Sequence, residues 1–284
     1  MIKLIVTDLD GTLLNHEKKV SNYTVDILKK AKARGIDLCI ATGRFVDDIK
    51  PEMEEYGLHP YFINMNGAEI REPNGNLIEE INIPDEKLEE IYNYFIENGL
   101  VPELYTNDGE YVINLTHEES KQELLRRMQF LFPHKKIELS EVEDNLRFKR
   151  RNYAKSIKEL IDNNIKVRKI IGFTADSDLI NKVKRHFNSF DDLVCVSALT
   201  TNFEITHIEA QKGPALKKLI KDIGIKADEV MIFGDGENDL SMFELFDNAV
   251  AMKNSMQLIL DKARYVCDSN INDGVAKYIE KEIL

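Results

Sequence analysis

Apolar positions along the first third of the chain follow two alternating rhythms. Short β-rich runs at Lys3–Thr7, Ile36–Ala41 and Tyr61–Met65 are separated by stretches with helical spacing. Ser21 is placed to cap a helix running towards Arg34, with Gly35 to end it. A second helix is expected over about Val46–Tyr56, stopping at Gly57. Strand and helix in strict alternation predict an open parallel α/β sheet.

The rhythm then changes. Pro73-Asn74-Gly75-Asn76 reads as a hairpin turn, and Pro84 opens a helix running to Asn98-Gly99. Asn107-Asp108-Gly109 turns a second hairpin that sets Leu104-Tyr105 against Tyr111-Val112-Ile113. Helices near Glu118–Phe130, Ala154–Asp162 and Ser177–Phe187 alternate with strands near Val167–Phe173 and Leu193–Val196. That mixture predicts a separate α+β unit. After Lys212 the simple βα rhythm returns: a helix to Gly224, a strand Val230–Phe233, a helix from Asn238 and a strand Ala249–Met252. Tyr265–Cys267 is a further strand and Gly274 begins a last helix. The expectation is an α/β domain interrupted by an insertion between about residues 84 and 207, in keeping with 284 residues and roughly one domain per 150.

Composition narrows the class. Hydrophobic residues at 43% and charged residues at 31% describe an ordinary globular protein. A net charge of -12 argues against nucleic acid or an anionic membrane as the main partner, because both repel an acidic surface. It permits an anionic small substrate, since a site can be locally positive or metal-loaded. Cys39, Cys195 and Cys267 lie far apart among apolar residues and read as buried hydrophobes in a reducing compartment. No apolar run approaches the ~18 residues of a membrane span, and Ile2–Val6 is too short for a signal sequence, so a cytoplasmic location is expected.

Candidate chemistry gathers where strands end. Asp8 and Asp10 close the first strand, and at i and i+2 of a strand their side chains would share a face. Asp10-Gly11 also reads as a plain hairpin turn. Gly234-Asp235-Gly236-Glu237-Asn238-Asp239 follows another strand and puts two aspartates four apart at a helix start. Helix capping explains Asn238 and Asp239 but not a second acidic cluster. Ligands of open α/β sheets bind in the crevice at the strand carboxyl ends. Were Asp8, Asp10, Asp235 and Asp239 to meet there, each like-charge pair at ~4 Å would cost about 4 kcal/mol at an effective dielectric near 20. Shared protons or a cation would have to offset that, and an all-oxygen donor set suits magnesium. Thr42-Gly43-Arg44 also follows a strand, with a hydroxyl and a glycine able to approach a phosphate. Lys212 precedes Gly213-Pro214 at a helix start, where its charge opposes the macrodipole unless an anion or carboxylate faces it. Lys217 and Lys218 read as a solvated face.

These segments, in this order, resemble the four motifs of the haloacid dehalogenase superfamily: Asp8–Leu14 (DLDGTLL), Ala41–Arg44 (ATGR), Lys212, and Gly234–Leu240 (GDGENDL). Asn66-Gly67-Ala68, Ala251-Met252-Lys253-Asn254-Ser255 and Asp273-Gly274-Val275 are similar to the Cof-type subgroup, except that Lys253 stands where that subgroup more often has glycine. The resemblance implies a Rossmann-like core (residues 1–83 and 208–284) and an inserted α+β cap (84–207). It also implies a Mg²⁺-dependent phosphatase of small phosphorylated metabolites. Asp8 would be the nucleophile and Asp10 the acid and base. Thr42, Gly43, Lys212 and Asn238 would hold phosphate. Asp8, the Asp10 backbone carbonyl, Asp235 and Asp239 would surround the metal, Asp239 directly or through water. Thr12 and Arg44 would support the loops, and Tyr105 and Tyr111 of the cap are placed either to touch substrate or to pack. A phosphomutase on the same fold, or a phosphate-binding module without turnover, are the competing readings. Oligomeric state is left open.

Overall fold

The computed structural model describes residues 1–131, 134–197 and 200–284. The chain divides into two units, Met1–Ile81 with Glu209–Leu284, and Asn82–Ile208. The first unit opens with β1 (Leu4–Thr7), every residue of which is buried. Ser21 caps α1 (Asn22–Ala33) by accepting from the Thr24 amide at 3.0 Å. Next come β2 (Asp37–Ala41), α2 (Lys50–Glu55) and β3 (Tyr61–Asn64). The helix expected over Val46–Tyr56 is broken into a single turn at Val46–Asp48 and α2. Pro51 is the reason: it has no amide hydrogen, and its ring collides with the carbonyl four residues back. The Pro73–Asn76 turn joins β4 (Glu69–Arg71) to β5 (Leu77–Glu80) as an antiparallel pair.

The second unit contains α3 (Asp85–Glu97), β6 (Glu103–Thr106), β7 (Gly109–Ile113), α4 (His117–Leu131), α5 (Leu139–Asp144) and α6 (Leu146–Lys149). It continues with β8 (Asn152–Ala154), α7 (Ile157–Asp162), β9 (Val167–Phe173), α8 (Ser177–Phe187), β10 (Leu193–Val196) and β11 (Asn202–His207). Ala154, expected in a helix, ends a strand instead. Ser156 accepts from the Glu159 amide at 3.2 Å and so α7 starts only at Ile157. Strand β11 was not anticipated, although Phe203 and Ile205 alternate with polar neighbours. The sheet order is β10-β11-β9-β6-β7-β8, antiparallel except for β7 with β8. One face packs Leu104, Tyr111, Ile170 and Phe203 against apolar residues of α3, α7 and α8. Tyr111 is therefore core, its hydroxyl donating to Asp108 Oδ2 at 2.7 Å. Tyr105 is buried with the Lys169 ammonium 4.6 Å from its ring centre.

The chain returns to the first unit through α9 (Lys212–Asp222), β12 (Val230–Gly234), α10 (Leu240–Leu245), β13 (Ala249–Met252), α11 (Gln257–Leu260), β14 (Tyr265–Cys267) and α12 (Gly274–Glu282). Its sheet runs β14-β13-β12-β1-β2-β3-β4-β5, parallel from β14 to β3. Because successive strand residues face opposite ways, Ile5 and Ile40 join the layer of α1 and α12, while Leu4 and Val6 join the layer of α9 and α10. Both faces are covered, as a parallel sheet requires. All three cysteines are buried and free. No helix among the described residues is long and apolar enough to cross a membrane.

Candidate active site

Strand β1 stops at Thr7, so Asp8 and Asp10 do not sit at i and i+2 of one strand. Asp8 keeps its amide paired to the Phe233 carbonyl at 2.9 Å, at the end of β12. The next residues curl into a tight loop, Leu9–Leu13, closed by the Leu14 amide on the Leu9 carbonyl at 2.9 Å. The hairpin reading of Asp10-Gly11 is thereby excluded. Gly11 has φ +83°, and a Cβ there would lie 2.4 Å from Asp235 Oδ2, so only glycine allows this loop to meet the end of β12.

Asp8, Asp235 and Asp239 come together, one carboxylate oxygen from each lying within 4.8 Å of the others. Lys212, fully buried, places its ammonium between two of them, 2.6 Å from Asp8 Oδ1 and 2.5 Å from Asp239 Oδ1. Those carboxylates reverse the unfavourable position of a lysine at the start of α9. Asp239 Oδ2 accepts from the Asp235 and Gly236 amides at 2.9 and 3.0 Å, so this residue both caps its turn and holds Lys212. Thr12 Oγ1 donates to Asp235 Oδ1 at 2.6 Å. Among the described residues, Asp8 Oδ2 and Asp235 Oδ2 accept no hydrogen bond, which leaves two oxygens for a cation.

One ammonium cannot neutralise three carboxylates, and the pKa values of two of them are pushed up. Burial, then the charges of Asp239 and Asp235, push Asp8 well above the usual carboxylate range in spite of Lys212. Burial and Asp239 push Asp235 up to about 6. Burial works against the charge on Lys212, but Asp239 and Asp8 outweigh it and hold the ammonium on. The sign for stability follows. A carboxyl raised in the folded state contributes nothing below its unfolded value near 3.9 and destabilises increasingly as pH rises towards the folded value. Metal-free protein should therefore lose stability relative to Asp235→Asn between about pH 4 and 6. Thermal unfolding of both chains across that range checks this; parallel curves would remove Asp235 from the charge conflict.

Asp10 is not part of the cluster. Its carboxyl is gripped by the Arg44 fork, with Nε at 2.7 Å and Nη2 at 2.6 Å, and Lys18 Nζ lies 3.1 Å away. Burial alone would raise its pKa, but the bonds and charge of Arg44 and then Lys18 bring it below the usual range. Convergence of all four aspartates is corrected to three, because Arg44 from the loop after β2, with Lys18 from Asp10's own connection, claims the fourth. Thr42 is buried and accepts from the Arg44 amide at 3.3 Å, and half-buried Gly43 lies between them. Asn238 donates to Asn66 Oδ1 at 3.3 Å. Lys18 was missed because nothing local marks an exposed turn lysine as an Asp10 partner. Asn254, which the sequence marks only through the Cof-type resemblance, donates from its side-chain amide to the Gly11 carbonyl at 2.8 Å.

A sequence model described as haloacid dehalogenase-like hydrolase matches residues 5–279. The chain belongs to that family. Phosphatase YwpJ of Bacillus subtilis (strain 168) is 30% identical over 279 residues, covering 97% of this hydrolase and 98% of the relative. The 5-amino-6-(5-phospho-D-ribitylamino)uracil phosphatase YwtE of the same organism is 29% identical over 288 residues, covering 99% and 98%. A solved structure of a haloacid dehalogenase-like hydrolase from B. subtilis superposes with a TM-score of 0.84 at 30% identity, covering 100% of both chains. The hydrolase is accordingly an enzyme of the phosphoric monoester hydrolase class, with the family's Rossmann-like core. At Lys253, a departure from the Cof-type pattern, φ is not positive, so the backbone conformation there does not call for glycine.

Proposed function

We propose that this hydrolase is a Mg²⁺-dependent phosphatase of small phosphorylated metabolites, a sugar phosphate or a nucleotide-like cofactor phosphate, acting through an aspartyl phosphate on Asp8. The observation that carries the reading is Lys212 buried between Asp8 and Asp239, with Asp235 beside them. Residues 1–83 and 208–284 are assigned as the catalytic core and 84–207 as the cap. The substrate class draws on the relative named for a phosphorylated ribityl compound.

The donor set fits Mg²⁺: three carboxylates, all oxygen, two of them with an oxygen accepting no hydrogen bond. Asp8, the Asp10 carbonyl and Asp235 would hold the ion, with Asp239, already engaged by Lys212 and two amides, directly or through water. When bound, it supplies positive charge to the phosphoryl oxygens and to the nucleophile. Asp8 attacks phosphorus, the ester P–O bond breaks, and Asp10 gives a proton to the leaving oxygen. A water then attacks the aspartyl phosphate, Asp10 takes its proton, and phosphate leaves with Asp8 regenerated. Thr42, Gly43, Lys212 and Asn238 hold the phosphoryl group meanwhile. The Arg44 fork favours ionised Asp10, the form the second step needs. For the first step, Asp10 must leave that fork to carry a proton.

A panel of phosphorylated sugars, polyols and nucleotides, assayed for released phosphate with Mg²⁺ and with a chelator, tests the reading. Expected are turnover of at least one class with Mg²⁺ and its loss on chelation, restored by added Mg²⁺. Turnover undiminished by chelation would count against the metal role.

A further inference from the structure

Between β3 and β4 the backbone makes a left-handed turn over three residues, Met65 at φ +48°, Asn66 at +62° and Gly67 at +115°. Met65 and Asn66 are buried, at 2% and 3% exposure. A methionine in this region is a real outlier, held only where the surroundings demand it, and such strain concentrates at functional sites. Here the turn fastens three other segments. The Met65 amide and Asn64 Nδ2 both donate to the Arg44 carbonyl at 3.2 Å, and the Asn66 amide donates to the Thr42 carbonyl at 3.0 Å. Asn66 Oδ1 accepts from Asn238 Nδ2 at 3.3 Å. Gly67 lies so close to the residue preceding Lys212 that a Cβ would come within 2.4 Å of the Gln211 carbonyl oxygen.

Thr42, Asn238 and Lys212 come from positions remote in sequence, yet this one turn touches the backbone or side chain next to each. We propose that Asn66 is a positioning residue for phosphoryl transfer, setting the Asn238 amide against the Thr42 loop. The inference rests on the proposed phosphate-holding role of Thr42, Asn238 and Lys212. Its physical basis is compactness: a left-handed turn brings successive amides and one side chain to a small volume. Asparagine is the residue that both tolerates this conformation and offers a carbonyl acceptor. Displacing a positioned group by about 1 Å can cost 10²-fold in rate.

The test exploits glycine, which accepts positive φ without strain and removes only the side chain. Orthovanadate binding in Mg²⁺ is measured by calorimetry for wild type, Asn66→Gly, Asn238→Ala and the double variant. Each single change should weaken binding about 10-fold or more, as loss of an orienting partner does. The double should be no weaker than the weaker single beyond about twofold, because both remove the same contact. With p-nitrophenyl phosphate, Asn66→Gly should lower kcat and leave KM within about threefold. Wild-type vanadate affinity in Asn66→Gly, or losses that multiply in the double, would overturn the assignment. So would a weakened variant whose melting temperature also falls, since that places Asn66 in the fold alone. Asp8→Asn is assayed alongside: turnover retained there overturns the proposed mechanism, while the vanadate cycle still reports on Asn66.

Discussion

Asp8→Asn is expected to lower turnover by about 10³-fold or more, since removal of an attacking group leaves only binding and electrostatic help. The fold should survive, and in the metal-free protein at neutral pH it should be at least as stable as wild type. The reason lies in the cluster. Asp8 is buried beside two other carboxylates, and its raised pKa means that its charged form is disfavoured there. An asparagine has the same shape, and its carbonyl can still accept from Lys212, which is 2.6 Å from Asp8 Oδ1. One negative charge disappears and no cavity forms. Released phosphate and thermal unfolding are the measurements. Turnover within tenfold of wild type would sink the nucleophile assignment, and collapse of the fold would contradict the account of the charges.

Lys212→Met should have the largest effect on stability. The lysine is fully buried and is the cation that meets both Asp8 and Asp239. Methionine fills similar space but leaves the carboxylates uncompensated, and breaking a buried pair from one side costs about 3–5 kcal/mol. Mg²⁺ should recover part of that loss, because a cation beside the same oxygens replaces some of the missing charge. Turnover should fall by about 10²–10³-fold even where the fold is restored. Lys217→Met, on the exposed side of the same helix, should stay within about 0.5 kcal/mol of wild type. Denaturant midpoints of the three chains with and without Mg²⁺ decide it. Equal stability of Lys212→Met and wild type without metal would show that the carboxylates do not need the ammonium.

How much of this was legible beforehand follows from what each feature depends on. Strands β1, β2, β12 and β13 could be read because each is a short apolar run between turn residues, and such a run carries its own signal. The cap of α1 at Ser21 is equally local. The helix over Val46–Tyr56 failed on one residue, Pro51, whose effect outweighs the apolar spacing around it. Ala154 went to β8 because a neighbouring strand, β7, offered partners that no local window contains.

The site divides in the same way. Their places at strand ends or a helix start were enough to mark Asp8, Thr42, Lys212 and Asp235 as site candidates, and the resemblance of their segments to the haloacid dehalogenase motifs is what implied phosphoryl chemistry. The grip of Arg44 and Lys18 on Asp10 was not legible, nor was that of Thr12 on Asp235. The alternation of strand and helix in the core, and the charged residues available to the site, are local properties that the order of residues is sufficient to specify. Which carboxylates share a cluster and which one is held apart depends on the assembled fold. Like charges are sorted by where cations arrive, and that depends on the loops of strands that meet only when the sheet forms.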